Sequence, residues 1–267
     1  MARQPTPVRL LQLTDLHLYG AGAGALRGVL TWPSLEATLA HALAHHSPWD
    51  AVLITGDLVQ DDPAGYERVR ALFSVSDVPV YCLPGNHDEP EAMRAALAAP
   101  PFQVCGTALA GAWQLVMLDS YLHGMASGRL SDAELARLDA ALAAEPDRHA
   151  LVCLHHHPVP MGSRWLDNVG LENGPALLEV LGRHPQARVL LWGHVHQSFD
   201  ARRGGLRLLG TPSTCAQFKP GVDGFAIDAR PPAYRWLDLH ADGRVETGVE
   251  WVAEAEVRRE PARASAG

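Results

Sequence analysis

The stretch Val8-Arg9-Leu10-Leu11-Gln12-Leu13-Thr14-Asp15-Leu16-His17 decides how the rest of the chain is read. A short apolar run ends abruptly in metal-competent polar residues, which suits a buried strand emptying into a loop. The same design recurs four times. Asp50 to Thr55 (DAVLIT) runs into Gly56-Asp57, and Val78 to Leu83 stops at Pro84 before Gly85-Asn86-His87-Asp88. Ala150 to Leu154 leads into His155-His156-His157-Pro158, and Arg188 to Trp192 into Gly193-His194-Val195-His196. In layered α/β folds the carboxyl ends of neighbouring strands are where ligand sites gather, so five such ends predict one crevice.

Between these runs the spacing predicts helices. Pro33 to His46 places Leu35, Leu39, Ala42 and Leu43 on one face, and Gly65 to Ser74 fits a second helix. Ser131-Asp132-Ala133-Glu134 reads as a capping box, and Asn173-Gly174-Pro175 puts proline at the start of a further helix. Trp113 to Asp119 is another buried strand, and Gly20 to Gly28 a Gly/Ala-rich loop. From Leu206 onward the pattern is strand after strand: Leu206 to Leu209, Phe225 to Asp228, Tyr234 to Leu239 and Val245 to Trp251. Strand–helix alternation followed by a strand-rich end implies mixed sheets covered by helices. Residues 1–252 are expected to form one domain, with an aperiodic Ala/Arg/Glu-rich tail over 253–267 that is expected to be disordered.

The 267 residues are 47% hydrophobic and 19% charged, with a formal net charge of −8. That balance offers no footprint for a nucleic-acid polymer or an anionic membrane, though bound cations would still admit a small anionic substrate. Cys82, Cys105, Cys153 and Cys215 are scattered with no CxxC, and are expected to be small hydrophobes in a reducing compartment. The opening MARQPTPVRLLQLTD reaches an aspartate before a signal-peptide core forms, and no apolar run nears the roughly 20 residues that span a bilayer. A cytoplasmic location is expected.

The polar ends carry a consistent chemistry. If the chain stays extended, residues i and i+2 point the same way, so Asp15 with His17, and His194 with His196, can face one site. Gly56, Gly85 and Gly193 would permit tight turns. Asp57 stands alone as a bridging carboxylate could, and Asn86 adds a neutral amide oxygen. An oxygen and nitrogen set without thiolate suits Mn, Fe or Zn and argues against a structural cysteine–zinc site.

Taken in order, Asp-x-His, Gly-Asp, Gly-Asn-His-Asp, His and Gly-His-x-His resemble the calcineurin-like metallophosphoesterases. The segments LQLTDLHL, TGDLVQD, LPGNHD, LHHHPVP, WLDNVGLEN, GHVHQ, TPSTCAQFKP and LHADG are similar to the bacterial class III cyclic-nucleotide phosphodiesterases, from about Val8 to Val249. Protein phosphatases of the superfamily follow Gly-Asp with Asp-Arg-Gly, whereas Gly56-Asp57 here leads into Leu58-Val59-Gln60-Asp61-Asp62.

The resemblance implies a four-layer αββα sandwich with two mixed β-sheets and a dinuclear centre of Fe or Mn, with Zn also compatible. One cation would be held by Asp15, His17, Asp57 and His196. The other would be held by Asp57, Asn86, His155 and His194, with Asp57 shared. Overlaying the family's HHPP motif puts the ligand at His155, with His156 as the alternative; His156 would then point away and His157 approach the substrate. His87 would assist the leaving oxygen, and Asp88 would orient its ring or equally cap the segment starting at Pro90. Substrate is implied to contact His17, Asn86, His87, His155 and His196. The implied reaction is hydrolysis of 3′,5′-cyclic AMP to 5′-AMP by a metal-bound hydroxide. A broader diesterase for glycerophosphodiesters or 2′,3′-cyclic nucleotides, and a metal-binding regulator without turnover, stay open, as does the oligomeric state. The remaining histidines, at 41, 45, 46, 123, 149, 184 and 240, are expected to be structural or at the surface.

Overall fold

A computed structural model describes residues 6–21 and 23–253. The elements begin with β1 (Val8–Leu13), the short strands β2 (Ala25–Leu26) and β3 (Val29–Leu30), α1 (Thr31–His46) and β4 (Ala51–Thr55). Next come α2 (Gly65–Phe73), β5 (Val80–Leu83), α3 (Pro90–Ala96), β6 (Phe102–Val104), β7 (Gly106–Ala110) and β8 (Trp113–Met117). Then follow α4 (Asp132–Ala144), β9 (His149–Leu154), α5 (Arg164–Asp167), α6 (Gly174–Gly182) and β10 (Ala187–Trp192). The chain closes with β11 (Phe199–Arg203), β12 (Leu206–Gly210), β13 (Gln217–Phe218), β14 (Ile227–Asp228), β15 (Ala233–Leu239) and β16 (Val245–Trp251).

Two six-stranded mixed sheets result, ordered β16-β15-β1-β4-β5-β6 and β11-β12-β10-β9-β8-β7. In the first, β1, β4, β5 and β6 are parallel, while β15 and β16 return antiparallel. In the second, β8, β9, β10 and β12 are parallel, with β7 and β11 as antiparallel edges. The sandwich follows from strand periodicity. Along β1 and β4, Leu11, Leu13, Val52 and Ile54 face α1 and α2, whereas Leu10, Ala51 and Leu53 face the other sheet. Strands covered on both faces read as unbroken apolar runs, which is why the sequence shows no polar alternation there. The inter-sheet layer is completed by Trp113, Leu115, Leu151, Val189 and Leu191, and a third core packs α4 and α6 on the second sheet.

Some local expectations are corrected. The Gly20–Gly28 stretch is not wholly loop, because its end forms the β2–β3 hairpin. The capping box at Ser131 is half formed. The Ser131 hydroxyl accepts the Glu134 N–H at 3.1 Å, but the Glu134 carboxylate accepts the Asp119 N–H at 2.9 Å and binds Arg137 instead of reaching back. The strand expected over Phe225 to Asp228 shrinks to β14, since Phe225 and Ile227 face outward. The edge strands β6, β7 and β11 escaped the sequence reading because edges lack the buried run that marks a central strand.

The four cysteines are unpaired; Cys82, Cys153 and Cys215 are buried and Cys105 is half-buried. No helix among the described residues is long and apolar enough to cross a membrane. The expected tail over 253–267 lies outside the described residues apart from Ala253.

Candidate metal centre

All five polar clusters sit at carboxyl ends of parallel strands. β1, β4 and β5, adjacent in the first sheet, deliver Asp15 and His17, Asp57, and Asn86 with His87. β9 and β10, adjacent in the second, deliver the histidine run and His194 with His196. The two sheets thereby bring every expected position to one place.

The chain does not arrive there extended, as the i, i+2 reading had it. Asp15, His17, Asp57, His194 and His196 all have positive φ, between 47° and 67°. Left-handed backbone at non-glycine residues is strained and collects at functional sites. Backbone bonds secure it: the Asp15 N–H donates to the Gly56 carbonyl at 3.0 Å and the His17 N–H to the Asp57 carbonyl at 2.9 Å. Of the three glycines, Gly56 needs its freedom for φ of +96°, whereas Gly85 and Gly193 are required for close approach. A Cβ on Gly85 would collide with Asp57, and one on Gly193 with Thr14.

Asp57 divides its two oxygens between tasks. Oδ1 accepts the His87 N–H at 2.9 Å. Oδ2 lies 3.3 Å from His155 Nε2 and 3.7 Å from His17 Nε2, so one oxygen faces residues from both sheets. Around it, His17 Nε2 and His196 Nε2 are 3.2 Å apart, and His196 Nε2 lies 3.3 Å from Asp15 Oδ1. His155 Nδ1 donates to the Thr55 carbonyl at 2.8 Å, and His196 Nδ1 to the Ala216 carbonyl at 2.6 Å. With Nδ1 holding the hydrogen, each Nε2 turns a lone pair inward, the tautomer a cation needs.

Buried atoms without a partner mark the same spot. Asn86 Oδ1, His155 Nε2, His156 Nε2 and His194 Nε2 are fully buried with no hydrogen bond among the described residues. Orphaned polar atoms are costly, and so many converging lone pairs need positive charge between them. The charges agree. Asp57 is held well below the usual carboxylate range: desolvation opposes its charge, but His155 first and then His87 outweigh it. Burial pushes His17 down to about 4 and drives His156 and His194 well below the ordinary imidazole value. Burial also works against the charged form of His155, but Asp57 and Asp15 lift it to about 9.

The histidine run behaves differently from the expectation at one residue. His156 does not point away: its ring centroid lies 4.8 Å from that of His194, and Nδ1 is bonded to Ser120 Oγ at 2.8 Å. Both His155 and His156 bring a nitrogen to His194, but His155 also faces Asp57. His157 is buried and stacks on His194 at 5.6 Å, with neither ring nitrogen bonded.

Asp88 is the second correction. Its carboxylate accepts the N–H groups of Gly85, Leu58 and Val59 at 2.9, 3.2 and 3.3 Å and the Tyr66 hydroxyl at 2.9 Å. It therefore ties the Gly56-Asp57 loop to the Gly85-Asn86 loop and has no lone pair left for His87. The partner of His87 Nδ1 is Asp61, at 3.0 and 3.1 Å, with Gln60 alongside at 2.9 Å. Burial disfavours the His87 imidazolium, yet Asp57 and the bonded Asp61 raise its pKa overall. An acidic residue four places beyond Asp57 was the available signal. The other seven histidines belong to none of the candidate metal clusters found among the described residues.

Beside the cluster opens a pocket of about 230 Å³, lined by His17, Asn86, His87, His194 and His196 together with Arg27, Trp165 and Phe218. The arrangement gathers carboxylate, amide and imidazole donors around one oxygen that faces both sheets, with a protonatable imidazole beside it. That is the equipment of a metal-dependent phosphoesterase.

Comparison with known proteins agrees. The sequence profile of the calcineurin-like phosphoesterases matches residues 8–198, and the chain belongs to that family. Within it, the chain is 44% identical over 248 residues to the 3′,5′-cyclic adenosine monophosphate phosphodiesterase CpdA of Pseudomonas aeruginosa, covering 92% of this chain and 90% of that one. The CpdA of Escherichia coli is 42% identical over 262 residues, covering 97% and 94%. Among solved structures, a dimetal phosphatase from Danio rerio superposes with a TM-score of 0.62 at 15% identity, covering 92% of this chain and all of that one, a likeness of fold.

Proposed function

We propose that the chain hydrolyses 3′,5′-cyclic AMP to 5′-AMP at a dinuclear metal centre and thereby lowers the cyclic AMP level of the cell. The observation that carries the reading is Asp57 Oδ2 facing both His17 and His155, in a chain that shares 44% identity with a cyclic AMP phosphodiesterase over nearly its whole length. In this reading Asp15, His17, Asp57 and His196 hold one cation, and Asp57, Asn86, His155 and His194 the other. The unpartnered Asn86 Oδ1, His155 Nε2 and His194 Nε2 support the second set. Imidazole, carboxylate and amide donors suit Fe, Mn or Zn. Two bound cations supply Lewis acidity to the phosphoryl oxygens and to the attacking water.

The chain's own residues do the rest. Water gives up one proton to solvent and forms the new P–O bond as the bond from phosphorus to the ribose 3′ oxygen breaks. His87, whose protonated form Asp57 and Asp61 favour against burial and whose Nδ1 Asp61 holds, gives its proton from Nε2 to the departing 3′ oxygen. Asn86, His17 and His196 line the space for the phosphate, whereas His155, expected to touch substrate, is fully buried and does not line the pocket. The unpaired cysteines support a reducing, cytoplasmic site of action.

The test is a steady-state comparison of cyclic AMP, cyclic GMP, 2′,3′-cyclic AMP and a glycerophosphodiester, with metal content measured on the same sample. The highest kcat/KM is expected for cyclic AMP, with 5′-AMP as product. Protein that carries metal and cleaves another diester while leaving cyclic AMP intact would reject the substrate assignment.

A further inference from the structure

Three separate segments bring aromatic and cationic side chains to one wall of the metal pocket. Phe218 lies flat on the His196 ring, with centroids 4.0 Å apart and planes 13° from parallel. Trp165 and Phe225 meet Phe218 edge-on at 5.3 and 5.2 Å, and each other at 5.1 Å. The Arg27 guanidinium sits over the Phe225 ring at 4.8 Å from its centroid. Asn86 and His87 line the opposite side.

The wall is held in place from several directions. Arg27 occupies the tip of the β2–β3 hairpin, where it and Gly28 have φ of +50° and +83°, the pair of positive values a two-residue type I′ turn requires. An arginine is a strained choice at a position that suits Asn or Gly. Its guanidinium has no carboxylate within ion-pair distance among the described residues. The Trp165 segment is bound to the 220s loop, its N–H donating to the Asp223 carbonyl at 3.2 Å and Arg164 pairing with Asp223 at 3.1 Å. The Phe218 N–H donates to the His196 carbonyl at 3.3 Å, which registers the aromatic group to the metal cluster.

A packing role alone does not account for this wall. Phe225 is 45% exposed, and the Trp165 indole Nε1 is buried with no partner. An aromatic surface with a free cation above it, one side chain away from the phosphate position, matches the planar π-face of a base and its ring-nitrogen acceptors.

We infer that Trp165, Phe218, Phe225 and Arg27 form a nucleobase subsite that seats the purine of the substrate while the phosphate lies at the cations. This rests on the reading of cyclic AMP as substrate. The subsite selects purine nucleotides from other phosphodiesters through stacking, and leaves the chemistry to the metal cluster.

The test measures competitive inhibition of cyclic AMP hydrolysis by 5′-AMP and by inorganic phosphate in the parent and in Trp165→Ala, Phe225→Ala, Arg27→Ala and Trp165→Phe. The ratio of the two inhibition constants isolates the nucleoside. The ratio for 5′-AMP over phosphate is expected to rise about tenfold in Trp165→Ala and about fivefold in Phe225→Ala and Arg27→Ala, with KM for cyclic AMP rising in parallel and Trp165→Phe restoring most of the loss. Phe225 and Arg27 are exposed, so those two variants report even if Trp165→Ala does not fold. An unchanged ratio in Phe225→Ala and Arg27→Ala overturns the subsite. A parent enzyme that fails to hydrolyse cyclic AMP removes the underlying reading first and the subsite with it.

Discussion

The two sheets contribute unequally to the metal cluster. The first supplies both carboxylates, Asp15 and Asp57, and the amide of Asn86, besides His17 and His87. The second supplies imidazoles alone, from His155, His156, His157, His194 and His196. Neither half suffices. The first would crowd two carboxylates against each other, and the second would bury several imidazoles whose lone pairs have no donor. The cluster exists only where the sheets meet, so cations held there would act as a clamp across the inter-sheet core and link ligand binding to sheet packing.

Asp57→Asn strikes the oxygen that faces both halves, and the largest effect is expected there. Turnover should fall by on the order of a thousandfold and bound metal should drop below two per chain. Elemental analysis beside a rate assay checks this; full occupancy with an intact rate would dissolve the idea of a shared oxygen. Leu53 is fully buried between the sheets, and Leu53→Ala should cost about 2–5 kcal/mol in urea unfolding while also weakening metal affinity. Lost stability with unchanged affinity would separate packing from binding and break the clamp.

His87 and Asp61 sharpen the first half. His87→Ala should lower kcat by on the order of a hundredfold with metal content retained. Asp61→Asn should cost about tenfold, because the ring keeps its place but loses its anionic partner. Equal effects from Asp61→Asn and Asp88→Asn on the pH profile would contradict the hydrogen bonds assigned to each.

The second half is tested through its pH dependence. Burial pushes His157 down to about 4, opposed weakly by Asp167. Its neutral form is therefore favoured in the folded state, while the unfolded chain takes up a proton near the ordinary value of 6.5. The folded pKa lies below the unfolded one, so stability contributed at neutral pH is lost as pH falls from about 6.5 toward 4. At pH 5 the penalty is about 2 kcal/mol. In the metal-free protein, His157→Gln should lose that much less stability between pH 7 and pH 5 than the parent. Identical pH dependence of the two midpoints would show that His157 does not titrate in this way.

The same asymmetry explains what could be read in advance. Asp15 with His17, Asp57, and Asn86 stand at the ends of three distinct apolar runs, so their convergence was visible in the sequence. The histidine run was not resolvable, because β9 ends at Leu154 and strand alternation no longer says which way His155, His156 and His157 face. All three turn out to be buried. The left-handed backbone at Asp15 and His17 was equally hidden, since nothing in a non-glycine residue announces positive φ. Asp88 was misread because adjacency in sequence suggested a bond to His87. The chain instead turns Asp88 inward toward Leu58, Val59 and Gly85, and Asp61 comes back from 26 residues away. The fold was legible wherever a strand is covered on both faces and at the β16 edge, and faded at the other three edges, where β6, β7 and β11 carry mixed sequences.

In the proposed reading hydrolysis requires two cations, both of which Asp57 would help to hold. Titrating Mn²⁺ into metal-free protein, with binding followed by calorimetry and cyclic AMP hydrolysis assayed at each step, tests it most directly. Turnover is expected to stay low through the first equivalent and to rise to its maximum only as the second is bound. Full turnover at one equivalent per chain, or in the metal-free protein, would contradict it.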